Sequence, residues 1–241
     1  MGKSILVTGG TGTLGSGVAR ALRAREHDVR VLSRREGPGR VVGDLRNRVV
    51  VDPVDAIVHC ATTNGTGDVA AMRNLLAGAR RAGSPHLVFI SIVDIDRLPM
   101  FYYRAKLEAE QLLIDSGLPW TILRTTQFHD LIAGLTRIQA RSPVLAALSG
   151  VRFQPVDAGE VAQRLAELAV AEPAGRVPDV GGPQIRSHAS LTRAYLRATG
   201  RRRLVVPVRP PGGFFRALRE GSNLVPDGAT GRRTFEEFLA N

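Results

Sequence analysis

Two residues near the middle of the chain have the types and spacing to move a proton. Tyr102 and Lys106 stand four apart in Phe101-Tyr102-Tyr103-Arg104-Ala105-Lys106, and on a helix residues i and i+4 share a face. An unperturbed tyrosine titrates near ~10, so one that works near neutrality needs a cation beside it. The 241 residues hold 3 Tyr and two lysines, Lys3 and Lys106, and random placement would give about 0.025 such pairs. Every other basic position is arginine, so a lysine here points to a need for a compact ammonium rather than a planar guanidinium. The alternative is packing: Tyr102 against the stripe Ala105, Ala109, Leu112 and Leu113, with Lys106 as a solvated flank. Tyr103 has Leu107 at i+4 and loses on spacing.

A second set could hold phosphate. Thr8-Gly9-Gly10-Thr11-Gly12-Thr13-Leu14-Gly15 follows a short apolar run and opens an amphipathic one, the strand-turn-helix context that a dinucleotide needs. Gly9 permits the tight turn, Gly12 lets the backbone approach a pyrophosphate, and Gly15 lets helix and strand pack closely. The cofactor then rests against Gly9, Thr11, Gly12, Thr13, Leu14 and Gly15. The alternative is a glycine-rich turn with no ligand. After the second strand comes Ser33-Arg34-Arg35, where an NAD site would carry an acid for the ribose 2′-hydroxyl. Two forked cations suit a 2′-phosphate instead, so NADP(H) is expected over NAD(H), unless these are two solvated arginines of an arginine-rich chain.

These sets need elements to position them. Strands are expected at 4–8, 28–33, 40–42, 56–60, 87–91 and 120–124, with helices at 14–25, 69–82 and 102–116. Apolar strands alternating with helices imply an α/β fold, a doubly wound parallel sheet of the Rossmann type. Between Leu45 and Ala56 only ten residues remain, with Pro53 among them. That is short for a parallel crossover, so the helix there is expected to shrink to a loop or a turn. Further on the alternation loosens: helices at 161–170 (Asp157 as a plausible cap), 191–199 and 235–240, a last strand at 176–180, and a break around Pro207, Pro210, Pro211 and the following glycines. The expectation is one domain over 1–241, with a cofactor-binding core at about 1–143 and a small C-terminal substrate cap with mixed core at about 144–241.

Composition removes several classes. At 44% hydrophobic and 23% charged residues the chain is neither disordered nor collagen-like. Its one cysteine, Cys60, excludes an intramolecular disulfide and a cysteine zinc cage, and it fits a reducing cytoplasm. No apolar run approaches a membrane span, the start lacks a signal-peptide layout, and no metal site is expected. The net charge of +11 could mean nucleic acid. The arginines are spread over the chain, however, with Arg201-Arg202-Arg203 as the longest tract, and no nucleic-acid motif accompanies them. Nucleic acid is therefore not an expected partner; a small molecule is, with the chain a monomer or homodimer.

The glycine turn and the Tyr102/Lys106 pair together resemble the short-chain dehydrogenase/reductase superfamily, most closely its extended and atypical NmrA-like and quinone-reductase-like members, over roughly residues 1–128. The resemblance implies that Tyr102 protonates a developing alkoxide while Lys106 binds the nicotinamide ribose and lowers the tyrosine pKa. It implies that Asp44 and Leu45 contact adenine and that Cys60, Ala61 and Thr62 line the cofactor. The third catalytic member is a Ser or Thr after the fifth strand. Ser91 is near that place, although alignment by the strand could put it at Ile92 or Val93. Since open α/β sheets bind ligand beyond the strands' carboxyl ends, Asn64 (with Thr63), Gln127, Phe128 and His129 are expected on substrate, with Phe153, Gln154, Phe214 and Phe215 as further walls. The implied activity is NADPH-dependent reduction of a carbonyl or quinone-type small molecule, aromatic or polyketide-like, by hydride transfer. The rival readings are a non-catalytic NADP(H) sensor and an epimerase or dehydratase on the same scaffold.

Overall fold

The computed structural model describes residues 2–47, 49–63, 65, 67–227 and 229–240. The elements run β1 (Ser4–Thr8), α1 (Thr13–Arg23), β2 (Asp28–Ser33), β3 (Arg40–Val42), β4 (Ala56–His59), α2 (Gly67–Arg81), β5 (His86–Ile92), α3 (Phe101–Ile114), β6 (Trp120–Thr125), α4 (His129–Gln139), β7 (Val144–Leu148), β8 (Arg152–Phe153), α5 (Ala158–Val170), β9 (Gly175–Arg176), β10 (Arg186–Ser187), α6 (His188–Ala198), β11 (Leu204–Val208), α7 (Gly213–Glu220) and α8 (Phe235–Leu239).

The main sheet has the order β3-β2-β1-β4-β5-β6-β9. β1 pairs in parallel with β2 (Val7↔Val31) and with β4 (Val7↔Val58). The order reverses beside β1, which makes this the doubly wound α/β fold with its ligand crevice at the reversal. The central strands are apolar on both faces because helices cover both: Ile5, Val7, Ile57, Val58 and Leu87 are fully buried.

Among the described residues the short crossover between β3 and β4 holds no helix. A turn closed by the Asn47 N–H on the Asp44 carbonyl and irregular chain take its place, with Leu45, Val49 and Val51 in the core beside Met72, Leu75 and Ala79 of α2. Gly78 makes this approach possible, since a Cβ there would come within 2.9 Å of the Val51 side chain.

The chain divides into two compact units that interleave in sequence. The first comprises residues 1–91, 100–124 and 159–178, and carries nearly all of the main sheet with α1, α2, α3 and most of α5. The second comprises 92–99, 125–158 and 179–241. It holds a parallel pair β7–β11 and an antiparallel pair β8–β10. A small core of Ala140, Leu145 and Leu196, with Val205 against it, joins α4, β7, α6 and β11.

Elements α4, β7, β11 and α7 lie where the sequence showed no clear pattern. Pro207, expected to break regular structure, sits inside β11 opposite Ala147. A proline is tolerated there because β11 has a strand neighbour on one side alone, so the missing N–H can face the open edge. Gly212, at φ 108, turns the chain into α7, a conformation that L side chains resist.

Candidate cofactor and proton-transfer site

The glycine turn joins β1 to α1 in the first unit, and its three glycines have different reasons to be glycine. Gly9 has φ +68, and a Cβ there would lie 2.6 Å from the Ala61 nitrogen. A Cβ on Gly15 would lie 2.4 Å from the Gly9 carbonyl oxygen. Both are demanded by the fold alone. Gly12 is not: its φ of −87 and ψ of 172 suit any residue, and a Cβ would meet one atom, the Gly9 oxygen at 3.4 Å. Gly12 therefore leaves open space at the start of α1. That end has no side-chain cap and no acid in its first turn. The N–H groups of Thr13, Leu14 and Gly15 have no acceptor within the helix, and the helix dipole adds to their pull on an anion. Donor set and open cradle fit a pyrophosphate.

Ser33 closes β2 and accepts a hydrogen bond from the Arg35 backbone at 3.1 Å; the side chains of Arg34 and Arg35 are exposed. Asp44 is clasped by Arg46, whose Nη2 and Nε reach its Oδ2 at 2.6 and 3.0 Å. Those bonds, more than the positive charge of Arg34, hold its carboxyl down at about 2. Leu45 turns its side chain into the core while its carbonyl accepts from Asn74. Thr11 and Thr13 are exposed.

At the end of β4, burial pushes the Cys60 thiol up to about 12, so it stays neutral and unreactive. His59 is buried, shares a 2.6 Å hydrogen bond between its Nδ1 and Thr8 Oγ1, and stacks on Phe89 at 5.3 Å. Burial, then the charge of Lys106, push it down to about 3 against the pull of Asp68.

Lys106 and Tyr102 project from α3. Lys106 is 4% exposed, and its ammonium stands 4.4 Å from the centre of the Phe89 ring. Burial lowers its pKa, opposed by Asp68, Cys60 and Glu110. The alternative of a solvated flank is thus excluded, because this lysine is interior. Tyr102 is half-buried, with its hydroxyl 3.5 Å from Thr62 Oγ1. The expectation that a cation pulls its pKa down is corrected. Burial raises it, and the carboxylate of Asp68 adds to that rise, while the Thr62 hydrogen bond lowers it. The phenol is consequently held protonated, the state from which an acid acts.

Asp68, unnoticed in the sequence, organises this corner. It is 4% exposed in the first turn of α2. One oxygen accepts from the Thr63 nitrogen at 2.5 Å and the Thr63 hydroxyl at 2.7 Å. The other accepts from Thr62 Oγ1 at 2.8 Å. Tyr102, Thr62 and Asp68 therefore form one hydrogen-bonded line. An acid at a helix start ordinarily reads as a dipole partner, which hid it; the two threonines just before it were the available signal.

Ser91 is 2% exposed, and its hydroxyl has no hydrogen-bond partner among the described residues. It lies two residues after Phe89 on β5, on the strand face that Phe89 presents to Lys106; Ile92 takes the opposite face.

Of the residues expected on substrate, Asn64 lies outside the described residues. Gln127, Phe128 and His129 belong to the second unit. His129 is corrected: it is 1% exposed, bonds through Nε2 to the Arg233 carbonyl at 3.0 Å, and stacks on Phe238 at 5.2 Å. Its burial among the aromatics of α8 gives it a packing role, and burial lowers its pKa. Gln127 is half-buried, 3.5 Å from the Asn223 amide. Phe128 bridges to Val156 at the start of α4. Gln154 is also interior: its amide nitrogen donates to the Gly182 and Val225 carbonyls and its oxygen accepts from the Val225 N–H, while Phe214 and Phe215 pack edge to face at 5.5 Å. No helix among the described residues is long and apolar enough to cross a membrane.

Comparison with known proteins bears on the family and the fold. A family described as NAD(P)H-binding matches residues 9–168. A (4-alkanoyl-5-oxo-2,5-dihydrofuran-3-yl)methyl phosphate reductase of Streptomyces griseus is 32% identical over 82% of this chain and 74% of its own length. A chloroplastic divinyl chlorophyllide a 8-vinyl-reductase of Oryza sativa is 28% identical over 75% of this chain; the match spans 54% of that enzyme, about half its length. In fold, an Escherichia coli NADPH-dependent quinone oxidoreductase complexed with NADPH aligns over 98% of both chains with a TM-score of 0.81 at 16% identity.

Proposed function

The chain belongs to the NAD(P)H-binding family, and from that premise we propose that it is an NADPH-dependent reductase of a small molecule with a carbonyl, quinone or similarly conjugated group, of the atypical short-chain dehydrogenase type. The observation that carries the reading is the joining of an uncapped, open helix N-terminus at Gly12 with a buried ammonium and a protonated phenol four residues apart on α3.

The residues divide the work. The N–H groups of Thr13 and Leu14 hold the pyrophosphate, and Arg34 and Arg35 take the 2′-phosphate with forked donors. Bound NADPH would supply the hydride. Lys106, kept dry over Phe89, presents its ammonium toward ribose hydroxyls and favours negative charge that develops nearby. Tyr102 gives its proton to the oxygen or carbon that receives charge, and Thr62 with Asp68 orients the phenol. Ser91 offers the spare hydroxyl on the same strand face.

The test is binding of NADPH and NADH to the purified chain, followed by cofactor oxidation with quinones, aromatic ketones and conjugated lactones. Tight NADPH binding with turnover is expected. Arg34→Ser with Arg35→Ser should then weaken NADPH by about tenfold or more, the value of lost charge-assisted bonds, and leave NADH unchanged. Equal affinity for the two cofactors would refute the preference, and failure to bind either would refute the reading.

A second reading has its own observation. Since burial and, less strongly, Asp68 raise the Tyr102 pKa, the phenol transfers its proton with less driving force. A cofactor-sensing protein tolerates that. Tight NADPH binding without turnover across the panel, with different affinities for NADP+ and NADPH, would favour it.

A further inference from the structure

The second unit carries charge and apolar surface in an arrangement that the cofactor site does not use. From Val180 to Arg219 the sequence contains no Asp or Glu and nine arginines. The fold gathers several of them. Arg193 and Arg197 on α6 and the tract Arg201 to Arg203 line one open cleft of about 470 Å³, together with Leu204. Arg201 and Arg203 reach the Ala140 carbonyl at 3.3 and 3.4 Å, which places the tract against the end of α4, where Arg137 and Arg141 are exposed. None of these five cleft arginines has an ion-pair partner among the described residues; Glu236, which feels Arg197, is held by Arg186.

Apolar side chains are exposed among them. On α4, Leu131, Leu135 and Ile138 follow i, i+4, i+7 and so share one face. They are 49%, 48% and 61% exposed. Six residues beyond Ile138, Val144 begins β7 opposite Leu204 of β11, and these are 42% and 63% exposed. The helix stripe and the start of the strand pair are joined in the chain by the turn whose Ala140 carbonyl Arg201 and Arg203 reach, so this strip of exposed apolar side chains has arginines at its middle.

We propose that this strip is a docking surface for an anionic lipid bilayer, with the leucines and Ile138 entering the interface and the arginines engaging lipid phosphates. The mixture favours that occupant. Exposed leucine and isoleucine gain nothing from a nucleic-acid backbone, and no aromatic side chain lines the cleft to stack on bases. A second copy would bring like charges together. A bilayer satisfies both halves: apolar side chains leave water, and arginine stems lie along the interface with their heads at phosphate. Such binding is peripheral and needs no spanning helix.

The full chain should co-sediment with vesicles of phosphatidylcholine and phosphatidylglycerol but not with phosphatidylcholine alone, and salt should weaken the binding. Replacing Arg201, Arg202 and Arg203 together by Gln should weaken partition on the order of a hundredfold. Ile138→Ser with Leu204→Ser should remove about tenfold or more, most visibly in high salt, where the electrostatic part is screened. Circular dichroism of the variants confirms that they fold. No sedimentation of the wild-type chain with anionic vesicles overturns the proposal. So does duplex DNA binding that the serine variants leave unchanged, or self-association that the serine substitutions abolish.

Discussion

The ammonium of Lys106 lies 4.4 Å from the centre of the Phe89 ring, and the same ring stacks on His59 from 5.3 Å. One aromatic side chain of β5 thus supports a buried cation and a buried neutral imidazole. The negative face of the ring replaces part of the water that the ammonium has lost, and Asp68 supplies the opposite charge.

His59 makes acid stability a readout of this arrangement. Its pKa falls from 6.5 to about 3 in the fold, so below 6.5 the unfolded chain binds a proton that the native chain refuses. Stability should be complete above 6.5 and decline as pH falls toward about 3. Lys106 and Asp68 are the charged groups facing the imidazole. His59→Asn, which can keep a bond to Thr8, should flatten that part of the pH profile in urea unfolding midpoints. An unchanged slope would show that His59 is not the group responsible.

Gly12 and Gly15 should separate ligand from fold. Gly15→Ala drives a Cβ into the Gly9 carbonyl at 2.4 Å, so the variant should lose stability by several kcal/mol, of the order of overpacking a tight site. Gly12→Ala meets one atom at 3.4 Å and should melt close to wild type. It should nonetheless bind NADPH at least about tenfold more weakly, because the methyl occupies the pyrophosphate approach. Calorimetric melting beside cofactor titration checks both, and unimpaired binding in Gly12→Ala would move the cofactor elsewhere.

Tyr102→Phe should reduce turnover by about 10²–10⁴, the usual worth of a positioned acid, with NADPH affinity unchanged. Asp68→Asn removes the negative charge that raises both the Tyr102 and the Lys106 pKa. The alkaline limb of kcat/KM should therefore move to lower pH. A limb that stays put in Asp68→Asn would show that neither group controls it.

Arg124 and Glu110 form an interior ion pair between β6 and α3, with bonds of 2.6 and 2.9 Å and side chains 6% and 4% exposed. Glu110→Ala leaves a buried guanidinium without its partner and should cost about 3–5 kcal/mol. Glu110→Leu with Arg124→Met should recover most of that loss. Chemical denaturation of the three proteins decides whether the pair is held by mutual need or by net attraction.

Much of the first unit was readable from the chain. β1 to β6 and α1 to α3 fall within about two residues of the apolar periodicity, because period 2 and period 3.6 are local properties of the backbone. The glycine turn was legible for the same reason: Gly9, Gly12 and Gly15 lie within seven residues and act on neighbouring backbone. The missing helix before β4 followed from counting residues.

What tertiary structure decided was everything that depends on burial and on chain brought from afar. Lys106 could have been a solvated flank of α3 until Phe89 of β5 lies under it. The family resemblance implied a lowered Tyr102 pKa, yet desolvation, and then Asp68 thirty-four residues away in the chain, reverse the sign. His129 stood beside Asp130 in sequence, but its partners are Arg233, Phe235 and Phe238, about a hundred residues on. Electrostatics in a protein interior follow through-space distance and dielectric, and neither is written in the order of residues.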